Sequence, residues 1–292
     1  MDQNLRPRRS VLYMPGANER ALEKAKTIPA DALILDLEDA VAPDAKPDAR
    51  ERVCAAASSG EYGLKEVVIR VNGLDTQWGD DDIRAAAAAG PAAILVPKIG
   101  SVAALSEVER RLEAAGAPDS TRVWAMLETP SGLFDARAIA ASSERLAVLV
   151  MGTNDIAKEL HAEHVPGRQP LLFALSQCLL AAREAGKVIL DGVYNDIQNA
   201  EGFEAECVQG REMGFDGKTL IHPSQVEPCN RVFAPSEAEV DQARKIIAAF
   251  EDAEAQGKGV VTVDGRMIEN LHVENARRAL ALAGAIAELQ AG

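Results

Sequence analysis

Two carboxylates follow two neighbouring predicted strands of the sequence. Glu128 follows the apolar run VWAML, and Asp155 follows the run LAVLVM, 27 residues further along the chain. This spacing matches one strand–helix repeat, so both residues are expected on adjacent parallel strands about 4.8 Å apart. Carboxylates this close repel unless a cation or proton lies between them, and Mg²⁺ or Mn²⁺ prefers oxygen ligands. The pair predicts a metal site, with capping of the following helices as the alternative.

Polar side chains also follow other predicted strands. Glu38 and Asp39 follow the second strand, and Arg70 ends the third. A guanidinium there could grip a carboxylate or an enolate oxygen through two parallel hydrogen bonds, or form a structural ion pair with Glu38 or Asp39. Lys98 after the fourth strand could form a Schiff base, although adjacent carboxylates would raise its pKa. Polar residues at the remaining strand ends are Asn72, Asp191, Asn195 and His222.

The elements that must position these residues are short apolar runs separated by stretches with helical spacing. Continuous apolar strands alternating with helices indicate parallel pairing, with helices covering the sheet. Eight such units predict an α/β fold, a closed (β/α)8 barrel, with its chemistry at the carboxyl ends of the strands. An open doubly wound sheet is the alternative, but no GxGxxG follows a strand. The eight runs begin at Ser10, Ala32, Glu66, Ala92, Arg122, Arg145, Lys187 and Gly217.

The sequence after the eighth run is surplus to a barrel. An amphipathic helix is predicted from Pro235 to Gly257, followed by a short β-like run, a turn at Asp264 and another helix. We therefore divide the chain into a catalytic barrel, residues 1–234, and a C-terminal helix and lid segment, residues 235–292. Such a segment either braces the outside of the barrel or crosses an active-site mouth.

Composition restricts the class of protein. The formal net charge of −14 argues against a nucleic-acid partner, because such proteins present a basic face to phosphates. No segment approaches the 18 or so apolar residues of a membrane span, and MDQNLRPRRS lacks the apolar core of a secretory signal, so we expect a cytoplasmic protein without a membrane partner. The four cysteines show no metal-binding spacing and are expected to be reduced thiols: Cys54, Cys178, Cys207 and Cys229.

Eight motifs in order resemble one known family. They are RSVLYMPGANERALEKA, LILDLEDAV, VIRVNG, LVPKI, LETPSG, GTNDIAKEL, GKTLIHPSQV and VDGRMIEN, and they extend from Arg9 to about Arg278. Together they resemble the citrate lyase β-subunit-like family, the acyl-CoA lyase branch of the HpcH/HpaI aldolase superfamily. The resemblance implies a (β/α)8 barrel and a homo-oligomer, often a homotrimer or homohexamer. It also implies an enzyme that makes or breaks a carbon–carbon bond between a short 2-oxo acid and an acyl-CoA.

The resemblance also implies roles for particular residues. Glu128 and Asp155 would hold Mg²⁺. Arg70 would clamp the 2-oxo acid or stabilise the enolate. Metal-bound water would be oriented by Glu38 and Asp39. Coenzyme A, as part of the substrate, would lie along the YMPG and IHPSQ loops, next to Tyr13, Pro15, Arg20, Lys24 and Pro223.

The late motif departs from the family pattern. In the lyases of this family the acid/base is an aspartate, written MID, on a C-terminal lid that reaches a neighbouring subunit's barrel. Here the motif reads MIEN, so Glu269 occupies that position. The extra methylene moves the carboxylate by about 1.5 Å, and a displacement near 1 Å can cost about 10²-fold in rate. In the related malyl-CoA thioesterases a longer carboxylate could activate a water instead. Asp264 is a rival for the base role, although its DG context is typical of a turn.

Several functions therefore remain open. The leading hypothesis is a Mg²⁺-dependent lyase for malyl-CoA, citramalyl-CoA or a close relative. A malyl-CoA thioesterase is the nearest alternative, and a citrate lyase β subunit acting on an acyl-carrier-protein thioester is the third. A Schiff-base aldolase built on Lys98 and a binding protein without activity are the alternatives from other classes.

Overall fold

A computed structural model describes residues 6–255 and 261–291 of the chain. Residues Arg8–Phe233 form one compact unit, and the described residues outside that range belong to a second. In the first unit eight parallel strands pair in chain order and β8 pairs with β1, so the sheet closes into a barrel. The predicted (β/α)8 barrel is confirmed. Its strands are β1 (Ser10–Pro15), β2 (Ala32–Asp36), β3 (Glu66–Arg70), β4 (Ala93–Val96), β5 (Arg122–Leu127), β6 (Leu146–Met151), β7 (Val188–Asp191) and β8 (Gly217–Leu220).

Helices follow the strands and cover the outside of the sheet. The helices of the barrel unit are α1 (Glu19–Ala25), α2 (Lys46–Ser58), α3 (Gly79–Ala89), α4 (Val102–Ala114), α5 (Pro130–Ala141), α6 (Thr153–Glu159), α7 (Leu172–Glu184), α8 (Ala200–Met213) and α9 (Val226–Phe233). Short 3₁₀ helices lie at Pro43–Ala45, Pro166–Leu171 and Pro223–Gln225.

The strands are mostly apolar because both of their faces are buried. In β2, Ala32 and Ile34 belong to the core inside the barrel, whereas Leu33 and Leu35 belong to the core between the strands and the helices. Alternate residues of a strand point to opposite faces, so a strand covered on both sides has no polar face. Trp124 is fully buried within the inner core. Two apolar layers therefore hold the barrel in shape.

The seam between the last strand and the first is tightly packed. Ser10 pairs with Lys218 along this seam, and the Lys218 backbone N–H donates to the carbonyl of Arg9 at 3.1 Å. A Cβ at Gly217 would overlap the carbonyl oxygen of Arg8. The thiol of Cys229 on α9 also donates to the Arg9 carbonyl, at 3.1 Å. Only glycine permits so close an approach of the two backbones at this point.

A buried charge cluster links β7 and β8 to α8. Arg168 Nη1 donates to both carboxylate oxygens of Asp191, at 2.6 and 2.8 Å. Lys218 Nζ contacts Asp191 at 3.2 Å and Glu206 at 2.7 Å. Asp191, one of the polar residues at a strand end, is therefore paired with the side chains of Arg168 and Lys218 and has a structural role.

The second unit contains two helices and a hairpin: α10 (Glu237–Ala255), β9 (Val261–Val263), β10 (Arg266–Ile268) and α11 (Asn270–Ala291). Ser236 and Glu239 form reciprocal side-chain-to-backbone hydrogen bonds at the start of α10, as a capping box does. The predicted helix end at Gly257 lies outside the described residues. Asp264 joins β9 to β10 with a φ of 49°, in a turn that Asp-Gly favours. None of the described helices is both long and apolar enough to span a membrane.

Candidate active site at the barrel mouth

A cavity of about 420 Å³ opens at the carboxyl ends of the barrel strands. Its lining includes six of the residues predicted from the sequence: Tyr13, Pro15, Asp39, Arg70, Glu128 and Asp155. Glu38 contacts Arg70 at the same place, through an ion pair of 2.8 Å. Arg20 and Lys24 are exposed on α1, and Pro223 is half-buried beyond β8. Glu269 belongs to the second unit, where it is exposed and its backbone N–H donates to His272 Nδ1 at 3.0 Å.

Arg70 is engaged by carboxylates through all three of its guanidinium nitrogens. Nε and Nη2 donate to the two oxygens of Asp36 at 2.7 Å each, a bidentate pair. Nη1 contacts Glu38 at 2.8 Å and Asp39 at 3.5 Å. The Tyr13 ring lies 4.8 Å from Arg70 Cζ, and burial raises the pKa of its hydroxyl far above the ordinary value. The ion pair that the sequence offered as an alternative role for Arg70 is therefore present.

Asp36 is a site residue that the sequence analysis missed. It is the last residue of β2, is almost fully buried and pairs in register with Arg70 on β3. Its carboxylate also accepts the backbone N–H groups of Glu38 at 2.8 Å and Ala40 at 3.1 Å, which shapes the loop after β2. The sequence did contain a signal for this pair. Asp36 ends one apolar run, and Arg70 ends the next apolar run along the chain.

Lys46 and Asn72 stabilise the loop after β2 through hydrogen bonds. Lys46 Nζ donates to the carbonyls of Leu37 and Glu38 at 2.8 and 2.9 Å, and to Asn72 Oδ1 at 2.7 Å. The Asn72 side chain in turn donates to Asp82 at 2.6 Å. Burial lowers the pKa of Lys46, although nearby carboxylates act against that change. This network fixes the backbone that presents Glu38 to the mouth.

Glu128 is a buried carboxylate with little compensation for its charge. Only 2% of the residue is exposed, and Oε1 accepts one hydrogen bond, from the Lys98 backbone N–H at 2.8 Å. Burial raises its pKa to about 8, and the charges of Glu38 and Asp155 add to the rise. Glu128 forms no ion pair with any side chain within residues 6–255 and 261–291. A buried carboxylate in this state is costly when ionised, unless a cation comes to it.

These features fit a divalent cation held by Glu128 and Asp155. Both line the cavity, and their charges act on each other. Glu128 directly follows β5, but Asp155 lies in the first turn of α6 and not on a strand as expected, because β6 already ends at Met151. The Thr153 hydroxyl beside them is buried and has no hydrogen-bond partner among the described residues. In the part of the chain that is described, no group of three or more His, Cys, Asp or Glu residues could hold a metal alone. Two carboxylates would leave the other positions of a Mg²⁺ ion to water and substrate oxygens.

Gly152 allows the Glu128 carboxylate to occupy its position. A Cβ at residue 152 would overlap both Oε2 and Cβ of Glu128 and would lie 3.1 Å from its carboxyl carbon. We expect Gly152→Ala to displace this carboxylate and lower turnover by about 10²-fold, because misplacement near 1 Å has costs of that order. Steady-state kinetics and the stabilisation of the protein by Mg²⁺ measure the effect.

Gly284→Ala is the matched control, since a Cβ there meets no heavy atom within 4 Å. If Gly152→Ala keeps the turnover and the Mg²⁺ response of Gly284→Ala, the position of Glu128 does not depend on Gly152.

Lys98 has a strained backbone and a charged side chain. Its φ of 54° lies in the left-handed region that favours glycine, and its side chain is exposed. Although burial lowers the pKa of Lys98, the charges of Glu38, Asp155 and Glu128 outweigh it and raise the pKa. An imine-forming lysine must be neutral to attack a carbonyl. The raised pKa therefore argues against the Schiff-base alternative.

Glu38 gives the metal-free protein a distinctive pH dependence. Burial raises its pKa from 4.5 to about 7, although Arg70 acts to lower it. Between these values the folded protein binds a proton that the unfolded chain releases, so stability falls as pH rises through this window. We expect Glu38→Gln to remove a fall of up to about 3 kcal/mol. Urea unfolding in EDTA at pH 5 and pH 7.5 measures it, and an equal fall in both proteins would contradict the assignment.

The chain matches two family models. HpcH/HpaI aldolase/citrate lyase matches residues 9–223, and C-C_Bond_Lyase of the TIM-Barrel fold matches residues 169–285. A (3S)-malyl-CoA thioesterase of Cereibacter sphaeroides (strain KD131) is 52% identical over 100% of both chains. The citrate lyase subunit beta of Escherichia coli (strain K12) is 38% identical over 95% of this chain and 94% of that one.

Solved structures are similar as well. CitE of Mycobacterium tuberculosis, in complex with magnesium, acetoacetate and coenzyme A, is 28% identical. It matches with a TM-score of 0.77, over 94% of this chain and 97% of that chain. The similarity therefore includes the barrel and extends well into the C-terminal part of the sequence.

Proposed function

The chain belongs to the HpcH/HpaI aldolase/citrate lyase family, a family of enzymes, and we propose that it hydrolyses the thioester of malyl-CoA with the help of Mg²⁺. Water adds to the thioester carbonyl, the carbon–sulfur bond breaks, and malate and coenzyme A leave. The observation that carries the proposal is Glu128, a buried carboxylate without an ion-pair partner among the described residues, beside Asp155 in the mouth cavity. Similarity to a (3S)-malyl-CoA thioesterase over the whole chain supports malyl-CoA as the substrate and favours hydrolysis over lysis.

The residues of the mouth have complementary roles in this proposal. Glu128 and Asp155 would hold the metal, which when bound supplies positive charge to substrate oxygens. Arg70 holds one oxygen of Glu38 at 2.8 Å and leaves the other to accept a proton from water. With a pKa of about 7, Glu38 can exchange that proton near neutral pH. Asp39, which is largely exposed at the rim, would help to orient the water.

Glu269 is the second candidate for acid/base chemistry. The family resemblance implies that the residue at this position acts on a neighbouring subunit's barrel from a lid formed by residues 235–292, and that the protein is a homotrimer or homohexamer. We retain both implications as proposals, together with the division of the chain at residue 234. Asp264 is the weaker candidate, because it lies in the turn between β9 and β10.

The substrate's coenzyme A arm is proposed to leave the cavity past Tyr13 and Pro15, which line it. Arg20, Lys24 and Pro223 would contact the arm further out, as the family resemblance implies. The magnesium and coenzyme A of the Mycobacterium tuberculosis CitE complex support both ligands for this chain. Mn²⁺ could replace Mg²⁺ in a site made of oxygen ligands.

Cleavage of the carbon–carbon bond is the second candidate function. The C-C_Bond_Lyase family model and the citrate lyase subunit beta favour it. Malyl-CoA would then give glyoxylate and acetyl-CoA, and a separate acid would protonate the enolate carbon. A citrate lyase β subunit would instead require an acyl-carrier-protein thioester.

One assay separates these functions. The purified protein is incubated with malyl-CoA and Mg²⁺, with and without EDTA, and glyoxylate and free coenzyme A are measured separately. We expect free coenzyme A and malate to form without glyoxylate, and we expect EDTA to abolish their formation. Glyoxylate with acetyl-CoA would establish a lyase instead. An activity that persists in EDTA but is lost on treatment with borohydride would overturn the metal-dependent mechanism.

A further inference from the structure

We propose that a second cavity, between α8 and the 3₁₀ helix at Pro166–Leu171, is a binding site for an uncharged small molecule that carries a carboxamide group. The cavity has a volume of about 450 Å³ and lies within the barrel unit. This volume falls in the usual range of small-molecule sites, about 300 to 1,000 Å³. Binding at this cavity is independent of the reaction proposed for the mouth.

The second cavity lies beside the mouth but outside the barrel wall. Val193, in the loop after β7, lines both cavities. Leu190 of β7 belongs to the core inside the barrel, so the next residue, Asp191, points to the helix side of the sheet. Arg168, whose guanidinium pairs with Asp191, lines the second cavity. This cavity is therefore separate from the one proposed to bind malyl-CoA.

Arg168 offers a hydrogen-bond donor to this cavity. The residue is only 4% exposed, its Nη1 donates to Asp191, and its Nε donates to Gln209 Oε1 at 2.8 Å. Nη2 is buried and has no hydrogen-bond partner within the described ranges. In a planar guanidinium one N–H of Nη2 points the same way as the Nε–H, and Gln209 also lines the cavity. A ligand oxygen on this side would remove the cost of an unsatisfied buried donor.

The backbone holds the Arg168 side chain in place. Its φ of 54° is one that residues other than glycine rarely adopt, and Gly167 before it has a φ of 77°. The Gly167 carbonyl accepts a hydrogen bond from Gln209 Nε2 at 2.8 Å. Gln209 therefore contacts both the guanidinium and the backbone of this turn. Because the surrounding structure fixes the strained backbone, the guanidinium is preorganised for a ligand.

The buried charges next to the cavity balance one another. Arg168 and Lys218 carry two positive charges. Asp191 and Glu206 carry two negative charges, and each lies within 4.0 Å of both cations. Although burial lowers the pKa of Lys218, the two carboxylates outweigh it and raise the pKa, so Lys218 stays protonated. The cluster therefore has no surplus cation with which to receive an anion.

A carboxamide matches this combination of groups. Its carbonyl oxygen can accept from Arg168 Nη2, and its N–H can donate to the Glu206 carboxylate, which also lines the cavity. Of the exposed residues in the lining, Asp196 adds a negative charge and His164 at most a positive one. A carboxylate of the same shape would place a further negative charge beside Glu206 without a cation of its own, which is costly.

The test uses nicotinamide and nicotinate, which have the same shape and differ in charge. NMR titrations with the full-length protein measure both dissociation constants, and we expect nicotinamide to bind at least about 10-fold more tightly. Ala205 is exposed on α8 and lines the cavity, so Ala205→Phe should fill it and weaken nicotinamide binding by at least about 10-fold. Val208→Phe is the matched control, because Val208 is exposed on the same helix and lies outside the described lining of the cavity. Arg168 is left intact, since its loss would deprive the buried Asp191 of a cation.

Three results would overturn the proposal. Wild-type protein that shows no saturable binding of nicotinamide has no such site. Equal affinities for nicotinamide and nicotinate would contradict an uncharged ligand. Wild-type affinity in Ala205→Phe, shown to be folded by thermal unfolding, would mean that nicotinamide binds elsewhere. Glu128→Gln, which alters only the mouth, should bind nicotinamide within about 2-fold of wild type, and a larger loss would assign the binding to the mouth instead.

Discussion

Glu128→Gln is expected to lower turnover by about 10³-fold or more, because the substitution removes a metal ligand's charge while preserving the shape of the side chain. The folded protein should not lose stability in EDTA. Burial raises the pKa of Glu128 from 4.5 to about 8, so at neutral pH folding without metal must bind a proton at this carboxylate, a cost in free energy that Gln avoids. Kinetics with malyl-CoA and thermal unfolding with and without Mg²⁺ measure both effects.

Two results make this prediction specific to metal binding. Wild type should gain stability when Mg²⁺ is added and Glu128→Gln should not, because a ligand stabilises only the state that binds it. Glu51→Gln, an exposed glutamate on α2, should behave as wild type in both measurements. Retention of full activity by Glu128→Gln would remove the metal site from the mechanism.

Arg70→Met is expected to destabilise the protein by about 3 to 5 kcal/mol, the usual cost of leaving one member of a buried ion pair without its partner. Asp36 is almost fully buried and receives two hydrogen bonds of 2.7 Å from Arg70. Activity should be lost as well, because Glu38 loses the group that orients it. Urea unfolding of variants that remain folded gives the free energy.

The double variant Asp36→Asn with Arg70→Met isolates the charge. Removing the carboxylate removes the uncompensated buried charge, so the double variant should be more stable than Arg70→Met alone. Activity should not return, since Glu38 still lacks its partner. If Asp36→Asn adds a further loss of stability to Arg70→Met, Asp36 contributes chiefly through its hydrogen bonds to the loop after β2.

The barrel could be predicted because its strands and helices produce different patterns of apolar residues in the sequence. Each strand is buried on both faces, as β2 shows, so it appears in the sequence as a short continuous apolar run. Turn residues and helical stretches separate these runs. Eight of them in succession leave few architectures other than a closed barrel, and parallel strands bring their carboxyl ends to one face. The gathering of polar residues at that face follows from the topology.

The pairing of those residues could not be predicted in the same way. Arg70 does contact Glu38 and Asp39, as the ion-pair alternative predicted, but its bidentate partner is Asp36, which occupies the strand position directly opposite. Strand register depends on three-dimensional packing that no local pattern contains. The left-handed backbone of Lys98 is equally hidden, because lysine has no preference for it and the surrounding fold imposes it.

The seam between β1 and β8 has a consequence for the order in which this chain folds. One edge of β1 pairs with β2, but the other finds its partner only in β8, where Ser10 pairs with Lys218, so the sheet cannot close until nearly the whole barrel sequence is available. Contacts between such distant residues form slowly, because a long loop of chain must first lose its entropy. Until β8 emerges during synthesis on the ribosome, this second edge of β1 therefore remains unpaired and open to association with other chains. Gly217 and Cys229, which pack against Arg8 and Arg9, complete the contacts that end this exposure.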